Sequence, residues 1–505
     1  MGNTTINASE SVRWLGVWLD SGLTFRHHVD TWAAKAARTT GHLRRFCNSQ
    51  RGVPVGLAVK AVKACTLPVL MYGADVWWPG PSRPTSSGTR RYKHTQGLVN
   101  KIDTVLKAAT KAAIPAWRTA QTAALHRECG IPPADLLLHE TRLSLATRIS
   151  SLDVFHPLRR RAFQPHSANK ATRVQRARDL LPPSDESPHA QAPYFPPEPR
   201  THKPKKVAAE EAGAWITSLP SNTVAAYADG ASSGNALSAW GTAIYCKGLL
   251  MATNSGPLAG GEICDAELVA LQEALDLARQ AAPPGTNEIA LISDSRNSLD
   301  IALGKPAKSS SSRAAQLRQA ILTCGYKVSL NWVPAHAGIT GNEMADQLAK
   351  GALPTSALGH YFSQAAIYRK FREDRKLHRE CWWEGTMPRA YRGLGLPMGG
   401  GRPEHSLHRT LFGHLFAERS GHGDFAQYHR RFGHTDADLH CECGREKAPR
   451  HFGICRLNQP PRSARNGQPP AIEHTRQMLG PKGHKSFMEF AAKTECFGDQ
   501  SVLDP

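Results

Sequence analysis

Two short apolar runs that each end in an aspartate constrain this 505-residue chain more than any other feature of it. Val224-Ala225-Ala226-Tyr227-Ala228 leads into Asp229 and Gly230, and Ile289-Ala290-Leu291-Ile292-Ser293 leads into Asp294. Runs of this length bounded by turn residues read as buried strands, so Asp229 is expected as the last residue of its strand. Acids at the carboxyl ends of two strands can converge outside a sheet edge. Glu267 heads a helical pattern, Ala266 to Arg279, whose apolar stripe runs on through Ala270, Leu271, Ala274 and Ala278. A carboxylate on the packing side of a helix needs a partner. A further helix is expected after the turn at Gly341, and it carries Asp346 at i and i+4 spacing from Asn342 and Lys350. Taken alone, Asp346 fits a solvated face.

As a set, the four acids mean more than they do singly. Carboxylates gathered without a cation repel one another, and divalent ions relieve that repulsion. Mg²⁺ prefers hard oxygen ligands, and two such ions about 3.5 to 4 Å apart can clamp the attacking and leaving oxygens of a phosphodiester displacement. The pattern therefore points to metal-assisted hydrolysis of nucleic acid.

The wording around these acids then becomes informative. Tyr227-Ala228-Asp229-Gly230-Ala231-Ser232, Ala266-Glu267-Leu268, Ser293-Asp294-Ser295 and the stretch Trp332 to Ile339, with Gly341-Asn342-Glu343 and Ala345-Asp346, occur in that order. Together they resemble the type 1 ribonuclease H domain, over about a quarter of the chain. The resemblance implies an α/β fold at 221–354, a ribonuclease H-like mixed sheet flanked by helices. It also implies endonucleolytic hydrolysis of the RNA strand of RNA/DNA hybrids with two Mg²⁺ ions. Asp229 would bridge the ions, Glu267 and Asp294 would hold one, and Asp346 would help hold the other. His336, on a loop between a strand and a helix, matches the family's mobile proton-transfer histidine, a task that suits an imidazole pKa of ~6.5. Two departures concern substrate contact and loop freedom. Ile263-Cys264-Asp265 stands where many members carry asparagines that touch the hybrid, and Ala335 replaces the glycine usual before the histidine.

Charge is divided unevenly. Residues 221–354 hold 9 Lys and Arg against 11 Asp and Glu, a net −2, which leaves +23 of the total +21 on the remaining chain. An acidic pocket neutralised by metal, with basic flanks gripping phosphate backbones, fits that division; a solvated basic surface is the plain alternative. The eleven cysteines are mostly scattered, no secretory apolar region opens the chain and no run is long enough to span a bilayer. An intracellular, reducing setting without membrane insertion is expected, nucleus and cytoplasm being left open.

Ahead of the acidic domain, Val12 to Leu23 reads as a strand and turn, followed by helices at Phe25 to Arg45 and near Leu57 to Met71. Trp14-Leu15-Gly16, Glu128-Cys129-Gly130-Ile131-Pro132-Pro133 and His156-Pro157-Leu158 resemble the end of a non-LTR retrotransposon reverse transcriptase, where a strand precedes a helical thumb. No Asp-Asp pair occurs anywhere in the chain, so 1–155 is expected to be a mostly helical thumb-like remnant without a palm or DNA synthesis. Residues 156–220, rich in Arg, Lys and Pro, read as a basic linker unable to bury enough apolar surface to order itself. Ser309 to Ser312 is expected to cap the helix that continues to Thr323.

The stretch 355–457 reads as a helical region closed by Cys441, Cys443, His451 and Cys455. Cys, Cys, His, Cys with three residues between the last two suits a tetrahedral Zn²⁺ site, although the single residue between Cys441 and Cys443 is tight and a metal-free knuckle stays open. This small cysteine/histidine tail resembles one found downstream of ribonuclease H in fungal retroelements, where it is thought to engage nucleic acid. Residues 458–505, rich in Pro and Arg, are expected to be disordered. Two functions compete: a hybrid-cutting hydrolase and a catalytically idle nucleic-acid-binding remnant. An active reverse transcriptase is set aside by the missing aspartate pair.

Overall fold

The computed structural model describes residues 9–47, 52–85, 88–91, 93–166, 171–182, 204–234, 237–307, 310–354, 362–458 and 471–493. The chain forms two compact units, one from Leu143 to Glu373 and one from Met1–Arg142 together with Asp374–Pro505.

The first unit is built on five strands: β1 (Thr223–Gly234), β2 (Leu237–Cys246), β3 (Leu249–Ala259), β4 (Glu288–Ser293) and β5 (Lys327–Trp332). Their order is β3-β2-β1-β4-β5. β1, β2 and β3 pair antiparallel, whereas β4 and β5 join in parallel. The helices are α1 (Ile263–Ala281), α2 (Arg296–Ala302), α3 (Ser311–Thr323) and α4 (Thr340–Gly351). Side chains alternate across β1, and both faces are buried. Val224, Ala226 and Ala228 pack with Leu268, Leu271 and Leu275 of α1, while Ala225 and Tyr227 pack with Ile339 and Ala345 at α4. Burial on both faces is why these strands read as unbroken apolar runs. The mixed sheet flanked by helices is the architecture the motifs imply.

Three local expectations are corrected. β1 does not end at Asp229 but runs to Gly234, because β2 pairs with it through that point, with Asp229 opposite Gly241. Parallel pairing with β4 stops at Tyr227 and Ile292, so Asp229 still emerges beyond the parallel edge. The serines before α3 give no side-chain cap; Ser310 instead donates its hydroxyl to the buried Asp265 Oδ1 at 2.6 Å. Ser309 lies outside the described residues. The basic stretch also holds helices at Pro157–Phe163, Arg173–Arg178 and Lys205–Thr217. Leu181 is buried with Leu143, Ala146 and Ile367, and Trp215 and Ile216 pack against the Tyr227 face of the sheet. These few apolar residues order segments whose mean composition argues against order. Pro183, Pro196, Pro197 and Pro199 lie outside the described residues.

The second unit opens with a hairpin, Ser11–Trp14 and Val17–Asp20, and its helix Arg26–Arg45 packs on helix Lys93–Ala113. Its core draws on residues far apart in sequence: Trp77, Ile102 and Leu125 share one cluster with Trp383, Phe412 and Phe416. A buried ion network reinforces that union. Arg419 Nη1 donates to Glu128 Oε2 at 3.1 Å and to Glu404 Oε1 at 2.9 Å, and Arg127 Nη1 reaches the same two acids. Within 458–505, expected to be disordered, helices Ala471–Leu479 and His484–Lys493 form and bury Met478, Leu479, Phe487 and Ala491 in this core, and 459–470 and 494–505 lie outside the described residues. No helix among the described residues is long and apolar enough to cross a membrane.

Candidate active site

β1 delivers Asp229, the residue after β4 delivers Asp294, and the second turn of α1, which begins at Ile263 rather than Ala266, delivers Glu267. Their approach depends on Gly230. A Cβ there would stand 2.8 Å from the Glu267 amide nitrogen, so only glycine lets α1 settle this close to β1. On the other face, a Cβ at Gly241 would stand 2.4 Å from the Ala345 carbonyl, and its absence lets α4 bring Asp346 across β2.

Carboxylate oxygens of Asp229, Glu267 and Asp294 lie within 4.8 Å of one another. Asp229 and Glu267 are only 5% and 6% exposed. Burial, followed by repulsion from Asp294 and Asp346, pushes the Asp229 carboxyl up to about 7. Burial and the charges of Asp229 and Asp294 raise Glu267 well above the ordinary carboxylate range. Hydrogen bonds offset this only in part: the Gly230 amide donates to Asp229 at 2.8 Å, and the Ser293 hydroxyl to Glu267 at 3.4 Å. Such a triad is an electrostatic fault unless a cation enters it, and its oxygen-only donor set suits a hard divalent ion. A buried polar atom at the same place points the same way. Asn342 donates Nδ2 to Asp294 Oδ2 at 3.2 Å, while its own Oδ1 is buried without a hydrogen-bond partner.

Asp346 belongs to a neighbouring group. Its carboxylate, one atom of Glu343 and one of His336 lie within 4.8 Å of one another. Lys350 Nζ donates to Asp346 Oδ2 at 2.7 Å, and His336 Nδ1 stands 3.9 Å from the same oxygen. The expected i to i+4 partnership with Lys350 is therefore formed. His336 is exposed and sits at φ 47°, in the left-handed region that a non-glycine residue adopts at a cost. The Gly338 amide, donating to Glu343 Oε1 at 3.2 Å, ties this loop to α4. Asp229, Glu267 and Asp294 thus come together as one cluster, with Asp346 and His336 beside it.

Sequence reasoning gave no role to Glu343 or Ser293 and none beyond spacing to Asn342. Glu343 and Asn342 stand inside the quoted Gly341-Asn342-Glu343 motif, a signal that was available, whereas the Ser293 contact depends on tertiary placement alone.

The cysteine and histidine cluster closes as well. Cys441 and Cys455 sulfurs are 3.7 Å apart, and Cys443 Sγ lies 3.3 Å from His451 Nε2. A tetrahedron with Zn–S bonds of about 2.3 Å has S···S edges of roughly 3.8 Å, close to the former distance. The tight spacing of Cys441 and Cys443 is accommodated by a turn, in which the Gly444 amide donates to the Cys441 carbonyl at 2.8 Å. Burial pushes the Cys455 thiol up to about 11, while a backbone hydrogen bond from Arg445 lowers Cys443.

The RNase H family profile matches residues 221–353. The chain is 30% identical over 136 residues to a retrovirus-related Pol polyprotein from type-1 retrotransposable element R1 3 of Nasonia vitripennis, covering 27% of this chain and 34% of the relative. A second such polyprotein, from element R1 of the same wasp, is 28% identical over 133 residues, 26% of this chain and 36% of the relative. The chain thus spans about a third of the length of these relatives. Among solved structures, RNase H1 from the archaeon Halobacterium salinarum is 29% identical, over 26% of this chain and 96% of that one, with a TM-score of 0.23. Residues 221–353 are accordingly an RNase H domain, carried by a chain that is homologous there to the Pol polyproteins of R1 retrotransposable elements.

Proposed function

We propose that this chain, as part of a retrotransposon-derived protein, cuts the RNA strand of RNA/DNA hybrids internally in a Mg²⁺-dependent hydrolysis. The observation that carries the proposal is the convergence of carboxylate oxygens of Asp229, Glu267 and Asp294 within 4.8 Å of one another. In this reading Asp229, Glu267 and Asp294 would together hold Mg²⁺, and Asp346, with Asp229, would help to hold a second ion. Bound Mg²⁺ there supplies positive charge at the attacking and leaving oxygens of a phosphodiester displacement. The protein's own part is to hold those acids in place: Asn342 orients Asp294, the Gly230 amide orients Asp229, and Ser293 orients Glu267. His336, exposed and 3.9 Å from Asp346, is placed to move a proton through its ring nitrogens at the edge of the site.

Phosphate backbones beyond the pocket would be gripped by the basic remainder of the chain, which carries +23. The four closely spaced donors of Cys441, Cys443, His451 and Cys455 support a structural Zn²⁺ site in the carboxyl-terminal part. The catalytic reading is tested with Asp294→Asn, which keeps the side chain's shape and removes the charge. The variant should still bind a labelled hybrid and fail to cut it. Undiminished cutting would place the chemistry elsewhere.

A further inference from the structure

We infer that Arg296, stacked on Trp332, is a built-in clamp for a backbone phosphate of the bound nucleic acid, a role that rests on the hybrid-cutting reading above. The guanidinium carbon of Arg296 lies 3.5 Å from the centroid of the Trp332 ring. The ring is itself anchored, because the indole N–H donates to the Asp294 carbonyl oxygen at 2.9 Å. A cation is thereby fixed, through one aromatic ring, to the residue whose carboxylate faces the reaction.

The other arginines of the RNase H domain are occupied. Arg279 pairs with Asp276, Arg313 with Asp265, and Arg318 donates to the carbonyls of Ile301 and Ala302. Arg296 is exposed and stacked on Trp332, and its guanidinium makes no hydrogen bond or ion pair among the described residues. Stacking engages the face of a guanidinium and leaves its N–H groups, which lie in the plane, directed outward. A planar fork held in this manner has already lost the freedom that a flexible side chain would lose on binding, and its bidentate geometry matches phosphate.

The surroundings call for such a group. The domain carries a net −2, so a polyanion approaching the acids meets repulsion. Toward Arg296 the start of α1 presents Cys264, its sulfur 3.8 Å from Asn297 Nδ2, and the arginines at that helix end, Arg313 and Arg369, are paired with Asp265 and Glu262. Arg296, two residues beyond Asp294, supplies positive charge where the strand must lie if it is to reach the carboxylates.

The test uses the full chain with Ca²⁺ replacing Mg²⁺, and reads the dissociation constant of an RNA/DNA hybrid at several KCl concentrations. Arg296→Ala should bind about tenfold more weakly and lose roughly 0.9 from the slope of log affinity against log salt, the contribution of one neutralised phosphate on duplex DNA. Arg296→Lys should recover the slope but not the full affinity, because an ammonium cannot make the planar stack or the bidentate contact. Trp332→Leu should weaken binding without changing the slope. A wild-type chain that binds hybrid while Arg296→Ala retains the same affinity and slope would overturn the clamp and leave the hydrolase reading standing. A wild-type chain that neither binds nor cuts hybrid would overturn the hydrolase reading and the clamp with it.

Discussion

Replacing Asp229 with asparagine should make the metal-free protein more stable at neutral pH while removing its activity. Folding lifts this carboxyl from 3.8 to about 7, chiefly by burial and then by the charges of Asp294 and Asp346. The folded state therefore holds the proton more tightly than the unfolded chain. Stability is highest below the unfolded value, falls as pH rises from 3.8 to about 7, and levels off above that. At about 1.4 kcal/mol per pH unit, ionised Asp229 costs at most roughly 4 kcal/mol at pH 8. Asp229→Asn removes that cost. Hydrogen exchange of the β1 amides, corrected for intrinsic rates and measured in EDTA, should show the variant better protected than wild type at pH 8. The gap should shrink to nothing near pH 4. Added Mg²⁺ should restore protection to wild type and do little for the variant. Identical pH dependence in the two proteins would refute the electrostatic account of this cluster.

Three further outcomes follow from the same geometry. His336→Ala should lower cleavage by ~10² to 10⁴ and leave Mg²⁺ binding intact, since general acid/base assistance is typically worth that much; a loss of metal binding would show that the residue acts otherwise. Lys350→Met takes away the ammonium 2.7 Å from Asp346 Oδ2, so half-maximal cleavage should need less Mg²⁺, and an unchanged Mg²⁺ titration would count against Asp346 as an ion-holding residue. Purified protein should contain one equivalent of zinc that Cys443→Ser lowers, and elemental analysis finding none in wild type refolded with zinc would defeat the tetrahedral site.

Much of the candidate site was legible because its residues end or begin regular elements. A buried strand announces itself by an apolar run, so Asp229 and Asp294 stood out at the ends of theirs, and Glu267 stood at the head of an apolar stripe. The continuation of β1 past Asp229 was hidden, because Gly230 to Gly234 is small and polar and only its pairing with β2 makes it a strand. Arg296 on Trp332 joins two elements 36 positions apart in sequence and leaves no periodic trace. The same limit hid the core shared by both ends of the chain. Arg127 meets Glu404 across 277 positions, and no local pattern of charge or hydrophobicity encodes such a partner. Composition also misled in 471–493, where averaging over prolines and arginines concealed the helical spacing of Met478, Leu479, Phe487 and Ala491.

The most direct measurement is digestion of an RNA/DNA hybrid whose RNA strand is end-labelled, by the purified chain with Mg²⁺. Internal cuts in the RNA strand are predicted, abolished by EDTA and by Asp294→Asn, with single-stranded RNA and duplex DNA left whole. A folded chain that binds both hybrid and Mg²⁺ yet leaves the RNA strand intact would contradict the account and establish an idle binding protein in its place.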